Sequence, residues 1–356
     1  MKVYFLSFNI MKNSTADYFI ALCNKLAEEN QVVIITSKIR DSNLPIYPSI
    51  KIYKWPTSHP NTWKDFMFIC KKVNDYKPDV MISMFSAVNL FLIAGKRYGV
   101  THRIAWIRSL STQFKQRKLH VWRRSLIYRL ATVILVNSEA TKKDASQFYH
   151  IAHSKIRVLP NSVKDYSNTV QNVPISPSKI VYVGRLHASK GIEVLINSFA
   201  ILLSKGYDLQ LDIIGNGGIL NDLIRLTQTK AIEERVSFLG VKSKEAVLEA
   251  FKSAYCAVVP SYFEAFGFTV IEAMSVGTCV IGANNTGIKE IIHHAETGLL
   301  FETGNSMDLA LQLESVLTNE NLRNRLAQAG YNRFRANYES QFAINRDFEF
   351  LKGLLF

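Results

Sequence analysis

The stretch KIVYVGRLHASKGIEVLINSFA, residues 179–200, predicts a strand, a turn and a helix in that order. Its first apolar run ends at Gly184, and Gly191 precedes a second apolar segment with helical spacing. The cations Arg185 and Lys190 lie between these two glycines. Strands that alternate with helices form parallel sheets, so this unit predicts an α/β protein.

The same alternation runs through both halves of the chain. The first half contains six strand-like runs: KVYFLSFN, QVVIITS, DVMISMF, HRIAWI, ATVILVNS and IRVLP. The second half contains KIVYVGRL, LQLDIIG, RVSFLG, YCAVVPS, TCVIGAN and GLLF. From about Ser306 the pattern is helical.

This alternation predicts two doubly wound, Rossmann-like domains, residues 1–164 and 179–338, joined by a polar linker at residues 165–178. Such domains bind ligands at the carboxyl ends of their strands, so we expect a ligand site in a cleft between them.

Composition argues against several protein classes. No apolar run approaches the roughly 18 residues that span a bilayer, and the start MKVYFLSFN indicates a strand rather than a signal peptide. We therefore expect a cytoplasmic protein. The four cysteines are far apart and lack CxxC spacing, so we expect reduced core thiols and neither disulfides nor a zinc site.

The positive charge is concentrated in the first half. The net charge is +14, and residues 1–163 hold 25 Lys and Arg against 9 Asp and Glu. Residues 80–138 contain ten Lys and Arg and no acidic residue, which suggests an anionic partner. Within them, residues 113–130 predict a basic amphipathic helix. Its apolar stripe is Leu119, Trp122, Leu126 and Leu130, and its cations include Lys115, Arg117, Lys118, Arg123 and Arg124.

We interpret residues 96–129 as a contact with an anionic membrane surface, which would make the protein peripheral at the inner face of the cytoplasmic membrane. The alternative is an ordinary helix whose stripe packs on the sheet. A nucleic-acid partner is disfavoured, because the segment has no recognisable nucleic-acid motif or aromatic stacking platform.

The segment SYFEAFGFTVIEAM, residues 261–274, places Glu264 and Glu272 among apolar residues. On one continuous helix these carboxylates would lie about 12 Å apart along the axis, too far to share a small ligand. Gly267 permits a bend, and Thr269 with Glu272 has the spacing of a capping box. The two carboxylates could then accept hydrogen bonds from hydroxyls of a sugar and a ribose. The alternative for Glu272 is that it only caps the helix.

Two further turns could bind an anion. Arg185 and Lys190 could hold a diphosphate, unless they are ordinary surface cations. The glycine-rich IIGNGG, residues 213–218, could bring backbone amides to an anion, unless it is a plain tight turn. It lacks the GxGxxG spacing typical of NAD-binding proteins.

The order of these motifs carries a resemblance to a known family. VGRL with KG, IIGNG, FLG, PSYFEAFGFTVIEAMSVGTCVI, TGIKEII and ETGLLF follow one another between residues 179 and 302, and LVNSEATKKD with VLPNSV precede them. This order closely resembles retaining glycosyltransferases of family 4 (glycosyl transferases group 1), which have the GT-B fold. Their paired glutamates, separated by seven residues, match Glu264 and Glu272.

The resemblance implies a site and a reaction. A sugar would be transferred from a nucleoside-diphosphate sugar with its anomeric configuration kept, and the catalytic residues would be Arg185, Lys190 and Glu264. The donor-binding residues would be Gly184, Gly215, Gly217, Phe266, Gly267, Phe268, Thr269 and Glu272. No DxD triplet occurs, so we expect no metal and no other cofactor.

The first half departs from the family's pattern in two loops. The loop FNIMKNST lacks the usual glycines, and the segment after HRIAWI lacks the usual histidine and carries Arg108. His102 stands at the start of that strand. We take Asn13, Ser14 and Arg108 as candidates for acceptor or phosphate contacts. The C-terminal helix, residues 339–352, would cross back to the first domain by resemblance.

We therefore expect a hexosyltransferase of surface polysaccharide or lipopolysaccharide biosynthesis that uses a UDP-sugar and a lipid-linked saccharide or glycolipid acceptor. Alternatives are a transferase with a soluble acceptor, a sugar-nucleotide epimerase, and an inactive protein that binds nucleotide sugars or nucleic acid.

Overall fold

The computed structural model describes residues 1–11, 13–39, 44–111, 118–170 and 173–355. The chain divides into two compact units. The N-terminal unit is Met1–Ser162 with Ser340–Phe356, and the C-terminal unit is Val163–Glu339. Each unit contains one sheet of parallel strands, as the alternation in the sequence predicts.

The sheet of the N-terminal unit has the order β3-β2-β1-β4-β5-β6-β7. Its strands are β1 (Val3–Ser7), β2 (Gln31–Thr36), β3 (Lys51–Lys54), β4 (Val80–Met84), β5 (His102–Ile107), β6 (Val133–Val136) and β7 (Ile156–Val158). Strand order reverses between β1 and β4, which makes the carboxyl ends of these two strands the topological switch point of the sheet.

Helices cover both faces of this sheet. They are α1 (Ser14–Ala27), α2 (Trp63–Tyr76), α3 (Val88–Arg97), α4 (Lys118–Tyr128), α5 (Glu139–Tyr149) and α13 (Ser340–Gly353). Successive strand residues point to opposite faces. Tyr4 and Leu6 therefore pack with α1 and α13, whereas Phe5 packs with α2 and α3. The C-terminal helix α13 thus completes the core of the N-terminal unit.

The sheet of the C-terminal unit has the order β10-β9-β8-β11-β12-β13. Its strands are β8 (Ser176–Val183), β9 (Gln210–Ile214), β10 (Val236–Gly240), β11 (Ala254–Val259), β12 (Cys279–Ala283) and β13 (Leu299–Phe301). Its helices are α6 (Ile192–Ser204), α7 (Leu220–Thr229), α8 (Lys244–Ser253), α9 (Phe268–Met274), α10 (Ile288–Ile291), α11 (Ser306–Leu317) and α12 (Glu320–Asn337). The switch point lies between β8 and β11.

Two features differ from the sequence pattern. Strand β3 is not among the predicted strands, because its four residues KIYK form a short, charged edge strand without a buried apolar run. Residues 165–178, the predicted linker, are grouped with the C-terminal unit. Asp165 accepts a hydrogen bond from the hydroxyl of Tyr331 at 2.9 Å, and β8 begins at Ser176. Of this stretch, residues 171–172 lie outside the described residues.

The basic helix α4 leaves part of the predicted apolar stripe exposed. Trp122 is 61% exposed and Leu126 is 38% exposed, whereas Val121, Ile127 and Tyr128 pack on the core. The alternative in which the stripe packs on the sheet is therefore wrong for Trp122 and Leu126, whereas Leu130, the last residue of the predicted stripe, does pack on the core. Lys115, Arg117 and the side chains of Lys118 and Leu119 lie outside what the structure describes.

The cysteines are core thiols, as predicted. All four are buried and free: Cys23, Cys70, Cys256 and Cys279. Burial raises the pKa of each thiol, so none is poised as a thiolate.

Candidate functional site

The candidate site lies at the carboxyl edge of the C-terminal sheet. Three loops leave the sheet there: residues 184–191 after β8, residues 215–218 after β9, and residues 260–267 after β11. Strands β8 and β11 flank the switch point, where parallel α/β sheets bind ligands. These loops hold most of the predicted site residues.

A buried tyrosine fixes the turn after β8. The hydroxyl of Tyr182 donates a hydrogen bond to the carbonyl oxygen of Arg185 at 3.1 Å. A Cβ on Gly184 would lie 2.6 Å from the same hydroxyl oxygen, so a larger residue here would have to displace the buried tyrosine ring. The side chain of Arg185 is exposed and pairs with no carboxylate among the described residues. Its guanidinium is thus available to an external anion.

Close backbone contact joins the first and third loops. Gly191 has φ +61°, and a Cβ there would lie 2.2 Å from the carbonyl oxygen of Pro260. The amide of Tyr262 also donates to the carbonyl oxygen of Ser189 at 3.0 Å. A glycine in the left-handed region is therefore required both by conformation and by space. These contacts fix how closely the loop that carries Lys190 approaches the loop that carries Glu264.

The result is an ion pair between Lys190 and Glu264. The side chains are only 15% and 17% exposed, so water screens the pair poorly. The hydroxyl of Ser261 also approaches the Glu264 carboxylate at 3.4 Å. The structure therefore brings together two predicted catalytic residues that are 74 positions apart in the chain.

The segment after β12 supports the loop of Glu264 from behind. The side-chain amide of Asn285 donates to the carbonyl oxygen of Ser261 at 2.5 Å, and the hydroxyl of Thr286 donates to that of Glu264 at 3.1 Å. A Cβ on Gly287 would lie 2.5 Å from the Glu264 carbonyl oxygen. The backbone of the Glu264 loop is therefore held in place by residues 285–287, which follow β12.

The helix that carries Glu272 begins earlier than the capping-box spacing predicts. The N-cap of α9 is Gly267, with φ +118° and no side-chain capping bond, so the predicted bend is present but Thr269 lies inside the helix. The Thr269 hydroxyl instead reaches the carbonyl oxygen of Val183 at 3.5 Å. Glu272 lies a full turn into the helix and cannot cap it. The prediction of a capping box is wrong, because glycine reaches the left-handed backbone conformation without a capping side chain.

The two phenylalanines beside Gly267 have different surroundings. Phe266 is buried and packs edge-on against Tyr338 and Phe268, with ring centroids 5.7 and 5.9 Å away. Phe268 is half-buried at the first position of α9. Phe266 can therefore offer a ligand only its backbone, whereas part of the Phe268 side chain remains exposed.

A lysine that the sequence patterns do not single out completes the site. Lys244 Nζ lies 2.5 Å from Glu272 Oε1, and its ammonium also lies 5.1 Å from the ring centroid of Tyr166. Lys244 is the first residue of α8, at the carboxyl edge of the sheet after β10. That position after the FLG strand is the only local signal in the sequence that could have identified it.

The glycine-rich turn after β9 packs against the turn after β8. A Cβ on Gly215, whose φ is +142°, would lie 1.9 Å from the carbonyl oxygen of Gly184. A Cβ on Gly217 would lie 2.0 Å from the carbonyl oxygen of Leu186. IIGNGG is therefore more than a solvent-exposed tight turn, because its glycines let the loops after β8 and β9 touch through their backbones.

The predicted acceptor residues lie at the carboxyl edge of the N-terminal sheet. Asn13 caps α1 by accepting a hydrogen bond from the amide of Ala16 at 2.9 Å, and Ser14 is the first residue of α1. Arg108 directly follows β5, whereas His102 begins that strand at the opposite edge.

Arg108 lies beside a buried polar cluster. Tyr18 donates a hydrogen bond to the carboxylate of Asp347 on α13, and Arg346 Nε lies 2.6 Å from the same carboxylate. Burial raises the pKa of Asp347, and burial with the adjacent Asp347 raises that of Tyr18. The pKa of Arg108 is lowered to about 10, because burial lowers it by more than the nearby Tyr18 and Asp347 raise it. Arg108 therefore stays a cation at neutral pH.

Two family models match the chain. The model described as "Glycosyltransferase Family 4" matches residues 16–165, and the model described as "Glycosyl transferases group 1" matches residues 167–333. The two matches meet close to the boundary between the N-terminal and C-terminal units.

Individual proteins agree with the family models. The "Uncharacterized glycosyltransferase MJ1607" of Methanocaldococcus jannaschii is 24% identical over 79% of this chain and 80% of its own length. A Campylobacter jejuni enzyme named N-acetylgalactosamine-N,N'-diacetylbacillosaminyl-diphospho-undecaprenol 4-alpha-N-acetylgalactosaminyltransferase is 30% identical over 56% of this chain and 54% of its own length. The chain thus matches only about half of that second relative.

The fold also matches a solved structure over nearly the whole chain. Anabaena Alr3699/HepE, crystallised in complex with UDP, superposes with a TM-score of 0.80 at 16% identity. The superposition covers 99% of this chain and 100% of that one. At this identity the likeness shows a shared fold.

Proposed function

Because the chain belongs to the glycosyl transferases of group 1, with the GT-B fold, we propose that it is a retaining transferase with a lipid-linked acceptor. It moves a hexose or N-acetylhexosamine from a nucleoside-diphosphate sugar, a UDP-sugar in the first instance, to a hydroxyl of a lipid-linked saccharide or glycolipid. The product serves the synthesis of a surface polysaccharide or lipopolysaccharide.

The observation that carries the donor half of this proposal is the arrangement around the Lys190–Glu264 pair. Lys190 pairs with Glu264 at the switch point of a parallel sheet, and the exposed guanidinium of Arg185 belongs to the same loop as Lys190. Arginine binds a diphosphate through its planar fork, and lysine adds a point charge. The Glu264 carboxylate accepts hydrogen bonds from hydroxyls of the donor sugar.

The reaction follows from this placement of charges. The bond between the anomeric carbon and the diphosphate oxygen breaks, and a bond from that carbon to the acceptor oxygen forms on the same face of the sugar. The proton of the acceptor hydroxyl passes to the leaving phosphate. Arg185 and Lys190 stabilise the negative charge that develops on this leaving group, which lowers the barrier without a metal ion.

Names of similar proteins support both substrates. HepE was crystallised with UDP, which favours a UDP-sugar as donor. The Campylobacter relative is named for a saccharide carried on diphospho-undecaprenol, which favours a lipid-linked acceptor. The specific sugar and linkage are then set by side chains of each protein.

We expect one nucleoside diphosphate to raise the melting temperature, with a smaller rise in Glu272→Ala. Glu272 lies in α9, the helix that follows the loop of Glu264, and we assign its carboxylate to the ribose hydroxyls. Its carboxylate pairs with Lys244, and a carboxylate accepts about four hydrogen bonds in all. A ligand at one hundred times its Kd stabilises the folded protein by about 2.7 kcal/mol. A thermal-shift panel of UDP, GDP, ADP and a short single-stranded DNA measures this directly.

The control variant is Glu249→Ala, which removes an exposed carboxylate from α8 in the same unit. It should keep the full nucleotide response. A Glu272→Ala protein with an undiminished shift would remove Glu272 from the nucleotide site. A panel in which no nucleoside diphosphate raises the melting temperature would contradict the proposed donor class.

A membrane contact through α4 is the second element of the proposal. Among the described residues, no helix is both long and apolar enough to cross a bilayer. Trp122 and Leu126 are exposed one helical turn apart, next to the exposed cations Arg123 and Arg124. An exposed apolar patch with a basic border fits the interfacial region of an anionic bilayer.

A cavity of about 380 Å³ opens beside this patch, between α4 and α5. Its lining combines apolar side chains with two basic ones: Val121, Trp122, Ser125, Leu126, Arg129, Phe148 and His150. The apolar wall suits lipid chains, and the basic border suits lipid phosphates. This surface would keep the enzyme at the membrane that carries its acceptor.

We expect the double variant Arg123→Gln/Arg129→Gln to bind vesicles containing phosphatidylglycerol about 20- to 30-fold more weakly than the wild type. Each cation near an anionic surface contributes about 1 kcal/mol, and 1.4 kcal/mol corresponds to a factor of ten. Vesicle sedimentation at physiological salt measures the partition. Pure phosphatidylcholine vesicles should bind both proteins weakly.

The matched control is Arg225→Gln/Arg235→Gln, which removes the same charge from exposed positions in the C-terminal unit. It should bind the anionic vesicles as the wild type does. Equal loss in both double variants would show that net charge, and not α4, governs binding. Absence of wild-type binding would favour a transferase with a soluble acceptor.

A further inference from the structure

Phe85 stands at the switch point of the N-terminal sheet. It directly follows β4, the central strand, whose last register pair with β1 joins Ser83 to Ser7. The chain segments that follow β1 and β4 therefore leave the sheet side by side. The segment after β1 carries the exposed Asn9 and leads to Asn13 at the start of α1. This place in a doubly wound sheet is where ligands bind.

The backbone of Phe85 is strained. Its φ is +56°, in the left-handed region, which bulky residues rarely adopt. Among the residues that the structure describes, four other non-glycine residues have positive φ: Lys77, His150, Ala231 and Ala295. Lys77 and His150 each end a helix, which is a common position for this conformation. Phe85 instead begins a turn at the ligand edge of a sheet, where strain is commonly associated with function.

The side chain of Phe85 does not contribute to the core. It is 61% exposed, and its ring makes no ring–ring contact with the described aromatic residues. Neighbouring positions of β4 are fully buried, including Met84 and Ser83. A strained backbone thus holds most of the phenylalanine ring out in water, where it buries little apolar surface in the N-terminal unit.

An exposed aromatic ring at a saccharide site has a specific chemical use. The face of an aromatic ring carries partial negative charge and offers a large flat apolar surface. One face of a pyranose ring presents C–H bonds with partial positive charge, while its hydroxyls point outward. The two surfaces stack, and a polar side chain such as that of Asn9, on the segment that leaves the sheet beside Phe85, can bind the hydroxyls at the edge of the sugar.

We propose that Phe85 is the stacking platform for the pyranose ring of the acceptor, held in a strained conformation that points the ring at the substrate. This inference rests on the proposed glycosyltransferase function and adds to it the residue that recognises the acceptor sugar. Phe85 binds the acceptor and takes no part in bond making.

The binding test uses octyl β-D-glucopyranoside and octyl N-acetyl-β-D-glucosaminide as probes, below their micelle concentrations. Saturation-transfer NMR on the full chain should show transfer to the sugar C–H protons with the wild type and with Phe85→Tyr. Phe85→Ala and Phe85→Gly should bind about tenfold more weakly, because they lose the ring. Wild-type protein that binds neither glycoside, or an alanine variant that binds as well as the wild type, would overturn the proposal.

The stability test separates strain from a structural role. Glycine adopts positive φ freely, so Phe85→Gly should melt about 1–4 °C above Phe85→Ala. At an ordinary backbone position the order is reversed, because glycine is the more flexible residue in the unfolded chain. An alanine variant that melts higher than the glycine variant would contradict the strained conformation and with it the proposal.

Lys77 provides the matched control. It has φ +48°, lies in the same unit and ends α2. Lys77→Gly should also melt above Lys77→Ala, but both should bind the glycosides as the wild type does.

The role of Phe85 and the proposed transferase function can fail separately. If nucleoside diphosphates stabilise the protein and Phe85→Ala keeps glycoside binding, the role of Phe85 is wrong and the transferase stands. If no nucleoside diphosphate binds, the proposed donor chemistry is wrong, whatever the glycosides do.

Discussion

Arg185→Ala should lower kcat for sugar transfer by about 100- to 1,000-fold. The exposed guanidinium of Arg185 pairs with no carboxylate among the described residues, so its charge is available to the leaving diphosphate. That charge develops as the bond to the anomeric carbon breaks, so its loss raises the barrier to reaction more than it weakens binding of the donor. Steady-state kinetics with the nucleotide sugar selected by the thermal-shift panel measure kcat and KM, and so separate the effect on the barrier from the effect on donor binding.

The side chain of Arg185 makes little contribution to folding, so the variant should melt near the wild-type temperature. Arg185→Lys should recover part of the activity, because lysine supplies the charge without the two-pronged geometry. The control is Arg225→Ala, an exposed arginine on α7 that pairs with Asp222. It should transfer sugar at the wild-type rate. An Arg185→Ala enzyme with wild-type kcat would remove this residue from the reaction.

Gly215→Ala should destabilise the C-terminal unit by about 3 kcal/mol or more. The added Cβ would lie 1.9 Å from the carbonyl oxygen of Gly184, and φ at Gly215 is +142°, where side chains are strained. The obstacle is backbone, so it cannot move aside without displacing the turn that carries Arg185. A loss of this size lowers the melting temperature by roughly 6–12 °C in a unit of this length. Differential scanning calorimetry measures the shift.

Gly218→Ala is the matched control in the same glycine-rich turn. A Cβ at Gly218 meets no atom within 4 Å, and its φ lies outside the strained positive range. The variant should melt within about 2 °C of the wild type, consistent with small surface effects. Gly217→Ala should resemble Gly215→Ala, because its Cβ would lie 2.0 Å from the carbonyl oxygen of Leu186. Equal stability of all three variants would show that the two turns are not packed as described.

Local patterns in the sequence were sufficient for the architecture. Apolar runs, glycines and helix starts recur in a fixed order, and each is decided by residues within one turn or one strand. The helix predicted from about Ser14 is α1, and the helical pattern from Ser306 begins α11. Strand β3 was not predicted from these patterns, because a short, charged edge strand carries no apolar run.

The candidate site was only partly readable in the same way. The bend at Gly267 and the cations after β8 follow from short-range spacing. The start of α9 does not follow from short-range spacing, because the helix begins after Gly267, which adopts φ +118°, and not at the capping sequence that starts with Thr269. Lys244 was not predicted, because its position after the FLG strand is the only signal near it in the sequence.

By itself, the sequence determined two parallel α/β sheets, the glycine-rich turns and a resemblance to one family of glycosyltransferases. Only the tertiary structure decided which charges meet: Lys190 with Glu264, 74 residues away, and Glu272 with Lys244, 28 residues away. It also decided that Trp122 is exposed and that the ring of Phe85 is held out into water at the switch point. The reason is physical. Hydrophobic periodicity fixes which elements form, whereas strand order and close backbone contacts fix which distant side chains become neighbours.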